Sequence, residues 1–262
     1  MGELAERAWF LVSRGLGALL RAGRYSTVCI TGRGAEALVR KRRRFHAPFL
    51  VWIGGPLLRI LDTGVRILPQ RDWAAREAHL YRTVHGSSIR ADADGTLTLP
   101  FLPGRTLAAV LEHRETDESA RRTAIELAVS ALAQLHEKGF THGDAMAENV
   151  MVDLAGGTAH WFDFETVHES GRPIAWRRAD DVRALLATCL VRTPTARFAP
   201  TVELILDRYA DEEVTRQLAA RFASTLQRPL PLHLGQARLS FRAFMEVDRL
   251  LRGRGRQSTI RA

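Results

Sequence analysis

Asp144, Asn149 and Asp163 are three oxygen-bearing side chains spaced as phosphoryl transfer from a nucleotide requires. They lie in His142-Gly143-Asp144-Ala145-Met146-Ala147-Glu148-Asn149 and in Asp163-Phe164-Glu165. A hydroxyl that attacks phosphorus must lose its proton, and a carboxylate within hydrogen-bond reach can orient and accept it. Asp144 is the candidate for that role. Asn149 can share its site if a loop there leads into a strand. Asp163 follows the apolar pair Trp161-Phe162, which sets it at a strand end. Magnesium is a hard cation that takes oxygen ligands, often one or two from protein and the rest from phosphates and water. Asn149 and Asp163 supply such oxygens. Asp and Asn are also common in turns, so Asn149 alone would carry nothing. The joint spacing carries the reading.

The elements that position these groups follow from periodicity. Thr27-Val28-Cys29-Ile30 and Ala37-Leu38-Val39-Arg40-Lys41 read as strands about a Gly32-Arg33-Gly34 turn. A basic run, Arg40 to Arg44, follows, and residues 48–69 give no clear pattern. Asp72 is placed to cap a helix over Trp73 to Val84 that carries Glu77. A hairpin turn at Asp92-Ala93-Asp94-Gly95 leads into a strand from Thr96 to Phe101. Helices are expected at Leu107–His113 and Ser119–Lys138, the second stopped by Gly139. Val150–Val152 and Ala159–Phe162 read as short strands. Beyond Pro173 the pattern is helical, near Asp180–Val191, Thr201–Tyr209, Glu212–Leu226 and Gly235–Leu251. Residues 3–22 form an amphipathic pattern with Arg7, Arg14 and Arg21 on one stripe.

The run from Leu135 through Asp144 to Asn149, with Phe162-Asp163-Phe164-Glu165, resembles the protein-kinase-like superfamily. The likeness is to the bacterial branch that holds aminoglycoside phosphotransferases and lipopolysaccharide core (Kdo/heptose) kinases. It covers residues 96–190 and extends more loosely over 27–95. It implies an α+β, bilobal protein-kinase-like fold, with a small β-rich N-lobe (25–102) and a larger, mostly helical C-lobe (103–251). An N-terminal helix (1–24) and a basic tail (252–262), expected to be frayed, would flank them. ATP and Mg2+ would lie between the lobes. By this likeness Asp144 is the catalytic base, and Asn149 and Asp163 are metal ligands. His142 and Asp181 support the catalytic loop, with Asp180 the alternative to Asp181.

The likeness also calls for a strand lysine on the nucleotide phosphates and a helix glutamate paired with it. All but two of the 38 basic residues are arginine, and Lys41 is the only lysine before Lys138. Lys is a compact point charge that Arg does not replace, so Lys41 is the candidate, against the plainer reading of one member of a solvated basic run. Glu77, mid-helix, is its candidate partner, against a surface ion pair. Phe101 and Leu102, in Pro100–Gly104, resemble the inter-lobe hinge whose backbone meets adenine. Gly32-Arg33-Gly34 could cover the phosphates, but a lone Gly-x-Gly is a weak signal and a plain turn is the preferred reading.

Four features depart from the protein-kinase pattern. Gly143 stands where regulated protein kinases carry Arg, Met146 where many carry Lys, and Glu165 where the Asp-Phe-Gly motif has Gly. The stretch from Glu165 to Asp181 leaves little room for a peptide-binding segment. Together these imply a hydroxyl acceptor on a glycan, a lipid-linked sugar or a small molecule. A protein serine/threonine kinase is the alternative, as is an inactive module that binds anionic lipid.

Composition bounds the rest. The chain has 262 residues, 46% of them hydrophobic, as an ordinary globular protein does. Its two cysteines, Cys29 and Cys189, suit a reducing compartment and argue against a disulfide framework. No basic leader precedes an apolar run, and no uncharged run reaches the length of a membrane span. The expectation is a cytoplasmic protein, with peripheral contact at the inner membrane left open. A net charge of +9 favours anionic partners, a nucleotide and an anionic glycolipid before nucleic acid.

Overall fold

The computed structural model describes residues 26–32, 37–43, 64–87, 89–92, 94–227, 239 and 241–261. The helix expected at 3–22, and with it the proposed membrane-facing stripe, lies outside the described residues. Among those residues no helix is long and apolar enough to cross a membrane. The architecture is mixed α+β, with a β-rich N-terminal region followed by a helical C-terminal part.

The N-terminal sheet has strand order β1-β2-β5-β4, all antiparallel: β1 Ser26–Thr31, β2 Leu38–Arg43, β4 Arg90–Ala91 and β5 Leu97–Pro100. The two-residue period of a strand decides the fate of the basic run. Arg40 and Arg42 face solvent, while Lys41 and Arg43 turn inward and are buried. Val28 pairs with Lys41, and Val39 pairs with both Ile30 and Leu99. Directly opposed residues share a face, so these apolar side chains line the same face as Lys41.

Helix α1, Gln70–His85, packs beneath the sheet and buries Trp73, Leu80 and Tyr81. It begins earlier than Asp72 suggested. Pro69 is the N-cap without a side-chain bond, and Asp72 sits inside the first turn. There its charge meets the positive end of the helix dipole. Gly86, at φ 65°, closes the helix as a left-handed C-cap. Just before α1, β3 Val65–Ile67 pairs antiparallel with β9 Thr166–His168. Its β3 strand falls in the stretch whose sequence showed no clear pattern.

A second sheet, β6 Arg105–Thr106, β7 Val150–Asp153 and β8 Thr158–Trp161, lies on the helical part. Helix α2, Leu107–Glu112, is capped by Thr106, and α3, Glu118–Glu137, by Asp117. Each cap side chain accepts a backbone N–H that the first turn leaves unpaired. Trp161, Leu132 and Leu135 are fully buried between β8 and α3, and the Trp161 indole donates to the Ala128 carbonyl at 3.2 Å.

Helix α4, Ile174–Leu190, starts directly after Pro173, earlier than its expected start at Asp180. Proline suits the N-terminal boundary because it needs no N–H partner. Asp180 and Asp181 are therefore buried mid-helix residues and not N-caps. Helices α5 Phe198–Tyr209, α6 Glu212–Gln227 and α7 Phe241–Arg261 complete the chain. α7 runs through residues 252–261, where a frayed tail was expected. An ion pair from Arg252 to Asp248 at i,i+4, 2.8 Å, and another from Arg254 to Asp207 brace that extension.

Candidate functional site

Residues far apart in sequence converge beneath the β2 strand. Lys41 Nζ lies 2.5 Å from Asp163 Oδ1, 3.3 Å from Glu165 Oε1 and 3.5 Å from Glu77 Oε1. Lys41 is 5% exposed and Glu77 1%. Burial would strip the charge from Lys41, but Asp163, then Glu77 and Glu165, outweigh it and hold its pKa above the ordinary lysine value. Burial opposes the charge of Asp163 as well. Lys41 overrides it and keeps that carboxyl below the usual range. Glu77 is pushed up to about 7 by burial, with Lys41 working against the rise. Its second oxygen accepts the Phe164 N–H at 2.9 Å, which ties α1 to the residue after Asp163.

Asp163 itself has φ 67°, one of two positive values among the described non-glycine residues. Asp tolerates the left-handed region better than most residues. Held strain of this kind concentrates at functional sites.

The His142–Asn149 segment is braced at both ends by α4. Asp181 Oδ2 accepts the His142 N–H at 2.7 Å, and its Oδ1 accepts the Gly143 N–H at 2.8 Å. Thr188 Oγ1 accepts the Ala147 N–H at 3.0 Å. His136 Nε2 also reaches Asp181 Oδ2 at 2.9 Å. Burial opposes the Asp181 charge, but His168 and the His136 hydrogen bond keep its pKa lowered. Of the two candidate braces, Asp181 does the work. Asp180 instead pairs with Arg183 at 3.0 Å, with Arg221, and with His168 at 3.3 Å.

His142 is buried and neutral, its pKa lowered to about 4 by burial. A carbonyl can only accept, so Nε2 donates to the Phe162 oxygen at 2.9 Å. Nδ1 then accepts the Asp144 N–H at 3.3 Å. Gly143 turns the chain at φ 84°, and a Cβ there would lie 3.1 Å from the Thr166 backbone. An arginine at this position would meet the β9 strand.

Asn149 Nδ2 donates to both the backbone oxygen and Oδ2 of Asp144, each at 2.9 Å. Its amide oxygen accepts no hydrogen bond among the described residues. With the nitrogen so committed, that oxygen is the atom left for a cation. Together with the carboxylate of Asp163, 34% exposed at its side chain, it forms an all-oxygen donor set that fits magnesium. Among the described residues no three His, Cys, Asp or Glu side chains are grouped to hold a metal by themselves. An ion held by Asn149 and Asp163 would need further oxygens, such as those of phosphates. Burial, and then the charge of Asp163, push Asp144 up to about 7.

Every sequence-selected residue of the Lys41, Glu77, Asp144, Asn149, Asp163, His142 and Asp181 set is brought into this one region. The hinge pair differs. Phe101 is 39% exposed, and its N–H is already given to the Ala37 carbonyl at 3.1 Å. Leu102 is half-buried against the core. Sequence reasoning missed three contributors. Arg43 donates to the Leu68 carbonyl at 2.6 Å and stacks 4.8 Å from the Trp73 ring; strand alternation could have paired it with Lys41. Glu165 was read only as a departure, yet it contacts Lys41, Ser26 Oγ at 2.8 Å and Arg43 at 3.6 Å. No sequence signal joins Ser26 to Glu165. A separate cavity of about 560 Å³ touches Leu38, Arg40, Thr98 and Pro100. These alternate with Lys41 along the strands and so face away from it.

No family model and no curated protein sequence matches the chain.

Proposed function

We propose that this chain is an ATP- and magnesium-dependent phosphotransferase of protein-kinase-like, bilobal architecture. Its acceptor is a hydroxyl of a glycan, a lipid-linked sugar or a small molecule. The observation that carries the reading is the meeting of two pairs. Lys41 contacts Asp163 across 122 residues of chain, and Asn149 is fastened to Asp144 beside them.

Residues 25–102 would form the smaller lobe and 103–251 the larger. Val28, Ile30 and Val39 share the Lys41 face, and Val28 and Ile30 are each 58% exposed. An adenine ring could cover that apolar surface. Lys41 would hold phosphate oxygens. Magnesium, when bound through Asn149 and Asp163, would neutralise phosphate charge and align the leaving group. Asp144 would orient the acceptor hydroxyl and take its proton as the oxygen bonds to the γ-phosphorus and ADP leaves. A carboxylate with a pKa near 7 suits that task at neutral pH.

The segment from Glu165 to Pro173 is short, and Thr166–His168 within it are taken up in the β3–β9 ribbon. That leaves little surface to hold an extended peptide, which supports a non-protein acceptor. The net charge of +9 suits an anionic one, such as a glycolipid at the cytoplasmic side of a membrane.

The test is transfer of label from γ-labelled ATP to a panel of glycans, lipid-linked sugars, small alcohols and peptides. Labelling of a non-peptide acceptor, lost in Asp144→Asn, is the expected result. Undiminished transfer by that variant would remove Asp144 from the reaction. Labelling of peptides alone would redirect the reading to a protein kinase.

A further inference from the structure

An ammonium group has three hydrogens to donate. Lys41 donates one to Asp163 at 2.5 Å, and Glu165 and Glu77 lie in ion-pair range at 3.3 and 3.5 Å. A phosphate oxygen that comes to Lys41 must compete with these carboxylates for its charge. Glu77 is fixed, because it is 1% exposed and its other oxygen holds the Phe164 N–H. Asp163 makes the shortest contact to Lys41 and is the candidate metal ligand. Glu165 is the one with other partners at hand. Ser26 Oγ donates to its Oε1 at 2.8 Å, and Arg43 lies 3.6 Å from its Oε2. It can release Lys41 without becoming a bare charge.

We infer that Glu165 makes nucleotide binding depend on the metal, by competing with the phosphates for Lys41. The inference rests on the nucleotide reading above. Three carboxylates here face two cations, Lys41 and Arg43. A bare triphosphate brings several more negative charges to this already negative site. The metal complex of the same nucleotide brings two fewer, and Asp163 would help to hold its metal. Glu165 thus discriminates between the two forms of one ligand. Ser26 opens β1, the strand that lies beside Lys41 in the sheet, so the competitor is anchored to the wall of the site itself.

The experiment is calorimetric titration of the full chain with ATP, in EDTA and in saturating magnesium, for wild type and Glu165→Gln. Glutamine keeps the shape and can still accept from Ser26, and circular dichroism checks that the fold persists. Removing one like charge a few ångströms from the phosphates should tighten metal-free binding on the order of tenfold. The ratio of Kd without magnesium to Kd with it should fall by a similar factor.

An unchanged ratio in Glu165→Gln overturns the inference while the nucleotide reading stands. Loss of magnesium-dependent binding in that variant also overturns it, because Glu165 would then be a metal ligand. Absence of ATP binding by the wild type with magnesium would overturn the nucleotide reading, and this inference with it.

Discussion

Asp144→Asn should stabilise the protein, and only where Asp144 is ionised. Burial and the nearby Asp163 raise its carboxyl from an ordinary value near 3.8 to about 7. In the unfolded chain the group ionises at its ordinary value. Folding therefore costs nothing from this group below pH 4, and increasingly more between pH 4 and 7. Above pH 7 the cost levels off. At 1.36 kcal/mol for each pH unit, the full cost is about 4 kcal/mol. Asp144 keeps partial exposure to solvent, which reduces this to about 2–3 kcal/mol. Asparagine has the same shape, carries no charge, and its side-chain oxygen can still accept from Asn149 Nδ2. For a chain of this size the gain corresponds to a Tm higher by roughly 4–10 °C at pH 8.5. At pH 4 the two proteins should melt together. The assay is differential scanning calorimetry across that pH range. Equal or lower Tm for Asp144→Asn at pH 8.5 would refute the claim that the site holds this charge at a cost to stability.

Lys41→Met should destabilise the protein by about 3–5 kcal/mol in denaturant unfolding at pH 8, because Glu77 and Asp163 lose their buried cation. The loss should shrink at pH 5, where Glu77, raised to about 7, is neutral. Gly104→Ala should cost more than about 2 kcal/mol, since φ is +94° and the new Cβ would lie 2.1 Å from the Val152 oxygen. Gly139→Ala, at φ +83° with nothing within 4 Å, should cost only about 1 kcal/mol; equal Tm losses for the two would contradict the packing argument. His85 is lowered to about 4, chiefly by burial, and hydrogen-bonds the Trp161 carbonyl at 2.8 Å. The unfolded chain takes up that proton first as pH falls, so His85 subtracts stability between pH 6.5 and 4. His85→Gln, measured by urea unfolding at both pH values, should lose about 2 kcal/mol less than wild type over that interval.

The site was legible wherever its chemistry is local. Asp144 and Asn149 share one loop, and their spacing alone brings them together. Lys41 was legible from its rarity among arginines. Its burial follows from strand alternation, which outranks the polarity of the run Arg40–Arg44. The pairing of Glu77 with Lys41 needed the family likeness, because it crosses from a helix to a strand. What remained hidden depends on contacts that leave no local pattern. The β3–β9 ribbon joins residues about a hundred apart, and Ser26 meets Glu165 across 139. Asp180 and Asp181 could not be told apart from a helix cap until the helix was seen to start at Ile174. Whether an aspartate in the middle of a buried helix faces the loop or the neighbouring arginines is set by the angular position of one residue. Composition misled at the C-terminus, where residues 252–261 are polar and basic yet helical. There, pairing of Arg252 with Asp248 and of Arg254 with Asp207 favours order that composition alone does not register.

Lys41, Asn149 and Asp163 are proposed to form a metal–nucleotide site beside Asp144. Calorimetric titration with ADP and magnesium, for wild type and for Asp163→Asn, tests it most directly. Binding by the wild type should strengthen with magnesium, and Asp163→Asn should lose that magnesium dependence. Absence of nucleotide binding, or binding whose magnesium dependence survives in Asp163→Asn, would contradict it.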